Sequence, residues 1–434
     1  MKQLRKAIII FCWLLVWAIL SRIIQNKILL AGPVETLQAL SRMVTTNSFW
    51  VACGGTILRI TIGYLAGMLL GTLLAAFSAG RAWFQESLAP VITLMKAVPV
   101  ASVVVIFLIW WGAGNLGIAI SFFMALPNFY LNTIEGIRST DKKLLEMAKV
   151  FAMPGRNKFF YIYRPTLRPF WDSAIKLSVG MSWKAGVAAE VIGLPESAIG
   201  EQLYLSKIYL ETDKVFAWTL VIILLSQLFE KLWLKLWEAF LLWEPGCKSV
   251  AYEGKTQVSP IHLSAVSVSY GENKVLQNFS VTYEPDNLYM LDSPSGSGKT
   301  TLLRVIAGLT KPDEGSVECN NRKVAMLFQE DRLCEEYSAL KNVELVAVSR
   351  STAKEHLLQL LDEADIYKSC KELSGGMKRR VALARTFASG AEILLLDEPY
   401  NGLDEENRMR VARYIEEKGR NRVVIMASHV QTKV

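Results

Sequence analysis

The sequence predicts two domains of different class: an all-α membrane domain over residues 1–243 and an α/β nucleotide-binding domain over 260–434, joined by a linker at 244–259. Three observations predict it. Hydrophobic residues make up 52% of the 434, and the mean hydropathy of +0.27 is too apolar for an ordinary soluble enzyme. The long apolar stretches all lie in the first half. In the second half a short apolar run, Leu288-Tyr289-Met290-Leu291, leads through Ser293-Pro294-Ser295-Gly296-Ser297-Gly298-Lys299-Thr300-Thr301 into the helical pattern Leu302–Gly308. That is the strand, loop, helix order of a phosphate cradle.

A bilayer core takes about 20 apolar residues per helix. Six stretches qualify: Ala7–Ile24, Ile60–Ala79, Val91–Trp111, Leu116–Ile134, Phe170–Val191 and Val215–Trp233. The fifth carries Asp172, Lys176, Lys184 and Glu190, too much charge to face lipid along its length. Lys2, Arg5 and Lys6 precede the first stretch, and Arg138, Lys142, Lys143, Lys149, Arg156, Lys158, Arg164 and Arg168 lie between the fourth and fifth. Basic residues stay on the cytoplasmic side, so six spans return the chain to the cytoplasm, where ATP is. The net charge of +8 is then the cytoplasmic excess of a membrane protein, and no nucleic acid is expected as partner. The first stretch has no small-residue cleavage site after it and reads as a retained anchor.

Gly63, Gly67 and Gly71 recur every fourth residue and offer a smooth stripe to a neighbouring helix. Lys96 and Lys184 lie well inside the third and fifth stretches, where a cation either snorkels to an interface or faces a polar path. Between the fourth and fifth, Leu144, Leu145, Ala148, Val150 and Phe151 are spaced for a short helix that Pro154 breaks. Such a helix is a docking element beside an ATPase, or an amphipathic helix on the headgroups. The six cysteines (Cys12, Cys53, Cys247, Cys319, Cys334, Cys370) have neither metal nor disulfide spacing and suit a reduced compartment.

The chemistry of the second half follows from residue types. Glycines at 296 and 298 let backbone N–H groups face a phosphate at a helix N-terminus, Lys299 reaches the outer phosphates, and the Thr300 hydroxyl suits a magnesium shell. Tyr270 ends a predicted strand over Ile261–Tyr270, where its ring stacks on adenine or merely packs. Gln329 is placed for magnesium or the attacking water, or is a surface amide. Ser374-Gly375-Gly376 precedes the apparent helix Lys378–Phe387, a second anion-binding helix start. The buried strand Ile393–Leu396 ends in Asp397, for the metal, and Glu398, for polarising water. Val423–Ser428 ends in His429, a γ-phosphate partner by its place in this ordered set.

Together, Ser293–Thr301, Gln329, Leu373–Met377, Asp397-Glu398, Asp404 and His429 resemble the ATP-binding domain of ABC transporters over nearly all of 258–434. The resemblance implies an α/β P-loop (RecA-like) ABC ATPase that takes ATP and Mg2+. Ser295, Gly296, Ser297, Gly298, Lys299, Thr300 and Thr301 then hold nucleotide, Tyr270 stacks on adenine, and Ser374, Gly375 and Gly376 form the signature. Asp404 is the D-loop acid, Thr300, Gln329 and Asp397 serve the metal, and Glu398, Gln329 and His429 serve catalysis. The first half resembles the permeases of the nitrate, sulfonate, taurine and bicarbonate importer group, with Glu146-Met147-Ala148 and Pro165 matching their coupling motif.

By that resemblance the membrane domain is a six-helix permease of the type I importer kind, in the bacterial cytoplasmic membrane. It works as a homodimer with a separate extracytoplasmic solute-binding protein. Lys96 and Lys184 point to a small anion such as sulfonate, nitrate or bicarbonate as the solute, while Glu190 leaves room for a cationic heterocycle. Four positions depart from the pattern: Ser293 for the first loop glycine, Ala152 for a glycine and Arg164 for a leucine in the coupling motif, and Met377 for the signature glutamine. The chain also ends soon after His429, which leaves a shortened domain or a weakened seat for that histidine. A membrane-anchored signalling or scaffold protein that binds nucleotide without transport is the competing reading.

Overall fold

The structure is a computed structural model that describes residues 2–26, 28–243, 246–248, 260–292, 294, 296–319 and 323–428. Two compact units emerge, Met1–Ser139 with Thr166–Trp243, and Thr140–Pro165 with Glu244–Val434. Most of the expected linker at 244–259 lies outside the described residues.

The first unit begins with α1 (Lys2–Ile24), α2 (Pro33–Val44), α3 (Asn47–Ala79), α4 (Ala82–Ala97) and α5 (Val100–Arg138). Proline at the first turn of α2 suits a position whose N–H has no helical partner. The chain then enters the second unit through α6 (Lys142–Val150) and α7 (Gly155–Lys158). It returns by a π-helical turn, Phe159–Tyr163, and α8 (Arg164–Gly193), followed by α9 (Ile199–Ile208) and α10 (Thr212–Leu242).

Among the described residues α3, α5 and α10 are long and apolar enough to cross a membrane, and the second, fourth and sixth expected spans lie within them. The first and fifth lie within α1 and α8. The third, Val91–Trp111, is not one helix. α4 stops at Ala97, Val98 is extended (φ −70°, ψ 131°) ahead of Pro99, and α5 starts at Val100. The proline ring disfavours helical geometry in the residue before it. α5 instead runs on to Arg138 across a kink at Gly112, whose φ of 72° only glycine adopts freely.

The glycine stripe of α3 packs on α5. A Cβ at Gly63 would sit 2.1 Å from the Ile118 carbonyl oxygen, at Gly67 2.8 Å from the Ala125 Cβ, and at Gly71 2.6 Å from the Leu126 carbonyl oxygen. Beside it the fully buried Tyr64 meets Phe129 and Trp233 edge to face at 5.7 and 5.6 Å.

The second unit holds strands β1 (Ile261–Tyr270), β2 (Asn273–Tyr283), β3 (Leu288–Leu291), β4 (Glu314–Glu318), β5 (Val324–Leu327), β6 (Ile393–Asp397) and β7 (Val423–Ala427). β2-β1-β4 form an antiparallel sheet and β3-β7-β6-β5 a parallel one. Every residue of β6 and β7 is buried, which is why both read as unbroken apolar runs. Around them lie α11 (Lys299–Ile306), α12 (Ala339–Glu344), α13 (Arg350–Leu358), α14 (Gly375–Ala388) and α15 (Glu405–Lys418). Leu291 and Asp397 both face Ala427 in register, and Leu327 faces Leu396. The four strands therefore end along one edge, where sheets of this class bind ligands.

Candidate functional site

The phosphate loop follows β3 and ends at α11. Gly296 and Gly298 take φ of 85° and 90°, left-handed conformations that aim N–H groups the way a phosphate needs. Gly298 also lacks room for a side chain, since a Cβ would meet Val275 Cγ1 at 2.8 Å. Lys299, Thr300 and Thr301 occupy the first turn of α11 behind Ser297. Ser293 and Ser295 lie outside the described residues, as does His429.

The Thr300 hydroxyl donates to the Asp397 carboxylate, joining the loop to the end of β6. Burial pushes the Asp397 carboxyl above the usual range, opposed by that bond and by the Arg379 and Lys299 charges. Its Oδ2 is buried without a hydrogen-bond partner among the described residues. A buried, unpartnered carboxylate oxygen beside a threonine hydroxyl fits a magnesium ion. No cluster of three or more His, Cys, Asp or Glu suited to a metal occurs among the described residues. Glu398, next in the chain, has φ 51°, an unfavourable conformation for a residue with a side chain, and its N–H donates to the Ala427 carbonyl at 2.8 Å.

Gln329 is exposed just beyond β5, on the same edge as Asp397. Tyr270 is 53% exposed at the end of β1. Ser374 caps α14, its Oγ accepting from Met377 N at 3.3 Å, and a Cβ on Gly376 would sit 3.2 Å from the Gly402 carbonyl oxygen. Asp404 caps α15, accepting from Asn407 N at 2.8 Å and from its side-chain amide at 3.1 Å. Those bonds hold its carboxyl below the usual range.

The sequence reading missed Arg379, 3% exposed on α14. Its Nη1 donates to the Phe328 carbonyl at 2.6 Å and lies 3.1 Å from Asp331 Oδ1, while Nη2 donates to the carbonyls of Asp397 and, at 2.7 Å, Glu398. One side chain thus fixes the backbone at Gln329 and at both carboxylates. The signal was its helical phase with Ala382 and Thr386, all on the buried face.

Within the same unit, α6 docks through Glu146. Its carboxylate takes Arg304 on α11 at 2.8 and 3.2 Å and Arg332 at 2.8 Å, and Arg332 in turn lies 3.8 Å over the Phe328 ring. The hydrogen bonds from Arg304, then those from Arg332, draw the Glu146 carboxyl down to about 2. Lys143 pairs with Glu330 at 2.7 Å. Ala152, where the coupling motif has glycine, ends α6 with φ 46°. Its N–H meets the Lys149 carbonyl and that of Met153 meets Ala148, a Schellman closure. Arg164 is buried over the Phe160 ring at 5.3 Å.

In the membrane unit Lys184 is exposed on α8, and Lys96 lines a cavity of about 320 Å3 with Thr93 and Tyr130. Glu190 is fully buried, accepting from Thr56 Oγ1 at 2.7 Å and Gly200 N at 3.3 Å, with Arg59 at 3.7 Å. Arg59 also donates to the carbonyls of Gly114, Glu196 and Ser197. This cluster fastens the segment before α9 to α3 and α5.

A phosphate loop, a buried acid bonded to it and an apolar helical unit in one chain define a membrane protein with a P-loop nucleotide-binding unit. The profile of the family described as ABC transporter matches residues 276–401, and that of the binding-protein-dependent transport system inner membrane component matches 67–231. The aliphatic sulfonates import ATP-binding protein SsuB 1 of Rhodococcus jostii is 35% identical over 185 residues, 40% of this chain and 74% of its own length. The sulfate/thiosulfate import ATP-binding protein CysA of Synechococcus elongatus is 36% identical, over 36% of this chain and 50% of its own. The Fe(3+) ions import ATP-binding protein FbpC of Escherichia coli O157:H7 is 33% identical, over 37% of this chain and 52% of its own. The chain spans about three quarters of the first relative and about half of the other two. It belongs to the ABC transporter family, with an ABC ATPase and a permease component in one polypeptide.

Proposed function

We propose that the chain is an ATP-driven importer of a small solute across the cytoplasmic membrane. The observation that carries this reading is the seat of Glu146 on Arg304 and Arg332. A segment that lies in sequence between permease helices α5 and α8 is folded as part of the ATPase unit, an arrangement a nucleotide-binding scaffold has no use for. The permease has six spans of the type I kind, the third made of α4 and the first part of α5. The chain works as a homodimer in which the Ser374-Gly375-Gly376 edge of one copy completes the phosphate loop of the other, and a separate binding protein delivers solute. The relatives named for sulfonate and sulfate import support a small anion, with Lys96 and its cavity on the path.

In this mechanism Lys299 and the loop N–H groups hold the phosphates of ATP, and Tyr270 stacks on adenine. Thr300, Asp397 and Gln329 would hold Mg2+, which when bound would neutralise charge on the phosphates. Glu398 orients the attacking water and His429 steadies the γ-phosphate. Closure of two ATPase units around ATP moves α6, and hydrolysis resets it. ATP hydrolysis by the full chain in lipid tests this, wild type beside Glu398→Gln. Turnover should fall by roughly 100-fold or more while ATP binding persists. Rapid hydrolysis by the variant would remove Glu398 from the role.

A further inference from the structure

Asn157 lies in α7, 1% exposed, and every hydrogen-bonding capacity of its amide but one lone pair is used. Its Oδ1 accepts from Lys248 N at 3.0 Å, and its Nδ2 donates to Lys248 O at 3.0 Å and to Leu345 O at 3.1 Å. The first two bonds make a closed two-bond pair with the backbone that follows α10. The third satisfies a carbonyl at the end of α12, one of the groups a helix terminus leaves without a partner. Next to Lys248, Cys247 is half-buried against the core of the unit, beside Tyr161 and Lys341. Tyr161 packs edge to face on Tyr337 at 5.0 Å, and the Lys341 ammonium lies 5.4 Å from the Tyr161 ring centroid. Burial, the largest influence, raises the Cys247 thiol above its ordinary range.

We infer that residues 246–248 are a second transmission element, clamped by Asn157 to α7 and α12, and that Asn157 is a positioning residue for coupling. α5 leads into α6, α7 leads into α8, and α10 leads into Gly246–Lys248. The start of α8, through α7, and the end of α10 are thereby attached covalently to one hydrogen-bonded joint on the ATPase unit, and α5 reaches it along the chain through α6 and α7. In a chain that carries permease and ATPase together, a passive linker at 244–259 would leave α10 free of the cycle. The clamp ties it in. This deepens the importer reading and rests on it for its function, though the clamp itself does not.

The test uses the full chain in lipid nanodiscs and N-ethylmaleimide, with alkylation of each cysteine followed by peptide mass spectrometry. Asn157→Ala should speed alkylation of Cys247 by roughly tenfold, the loss of hydrogen bonds being read as local opening, while Cys334 stays protected and reports an intact fold. Lys248→Pro, which deletes the donor from the other side of the pair, should do the same. The double variant should add little to either, because both remove one joint. ATP turnover in the same samples should rise about threefold at unchanged KM as the ATPase is released from the permease, with Asn157→Gln restoring part of the restraint. Unchanged Cys247 alkylation in both single variants, additive effects in the double, or freed Cys247 with unaltered kcat would overturn the inference. A wild-type chain without ATP turnover would count against the importer reading, and the alkylation rates would still decide the clamp.

Discussion

Glu146 and Arg304 face each other across 158 residues of sequence, the carboxylate lying 2.8 Å from Nη2 of the guanidinium. Arg304 sits on the helix that begins at the phosphate loop, so α6 is one helix away from that loop. Glu146→Ala should leave Arg332, 7% exposed at its side chain, without its closest carboxylate. With the pair partly open to water the loss is about 1 kcal/mol, enough to raise amide exchange in α6 severalfold. ATP turnover should persist but lose its response to solute-loaded binding protein, and an unaltered response would separate Glu146 from coupling.

The docking contact and the ATPase core respond differently to acid. Because the Glu146 carboxyl is drawn down to about 2, its stabilising effect is fully present above the ordinary carboxylate range and is lost only as pH falls toward 2. His356 behaves otherwise. Burial, then the nearby Arg422 charge, lowers it to about 4, with Nδ1 2.7 Å from the Tyr414 hydroxyl. Folded and unfolded chains are both neutral there above about pH 6.5, and between about 6.5 and 4 only the unfolded chain takes up the proton. Stability of the ATPase unit should therefore fall by about 3 kcal/mol across that window. Urea titrations at a series of pH values should show the slope, and His356→Gln should flatten it; a slope that survives the substitution assigns it elsewhere.

Arg379 acts through the backbone, donating to the carbonyls beside Gln329 and at Asp397 and Glu398. Arg379→Met leaves the carbonyls of Phe328, Asp397 and Glu398 without their donor, a cost of about 3 kcal/mol in unfolding free energy. As Glu398 is held at φ 51°, loss of its anchor should lower kcat more than it changes KM for ATP. Equal loss in both would mean that the binding loop had moved instead.

Much of this was legible because it is local. β6 with its two carboxylates, β7 and α6 are each specified by a few neighbouring residues, and the structure places them within a residue or two of the expected bounds, whereas the helix after the phosphate loop starts at Lys299, three residues before the expected Leu302. Contacts distant in sequence were not legible. Nothing near Glu146 names Arg304 or Arg332, nothing near Asn157 names Lys248, and Arg379 reads as one more cation in a basic run. The break within the expected third span has another cause. Hydropathy averages over Val91–Trp111 and does not register Pro99, whose effect is on the backbone of Val98 and not on transfer to lipid.

Ala152 is the departure from the coupling motif whose consequence the backbone shows directly. Its φ of 46° closes α6, and an L-residue in that left-handed region carries roughly 1–2 kcal/mol of steric strain that glycine does not. Glycine returns about 0.5–1 kcal/mol of that through the greater freedom of its unfolded chain. Ala152→Gly should then stabilise the α6 closure by about 0.5–1 kcal/mol net. The gain should appear as slower amide exchange at Met153, whose N–H donates to Ala148 O at 2.9 Å, with ATP turnover unchanged. Faster exchange there would mean that Ala152 holds its conformation through packing that glycine cannot supply, and that the alanine is the fitted residue at this turn.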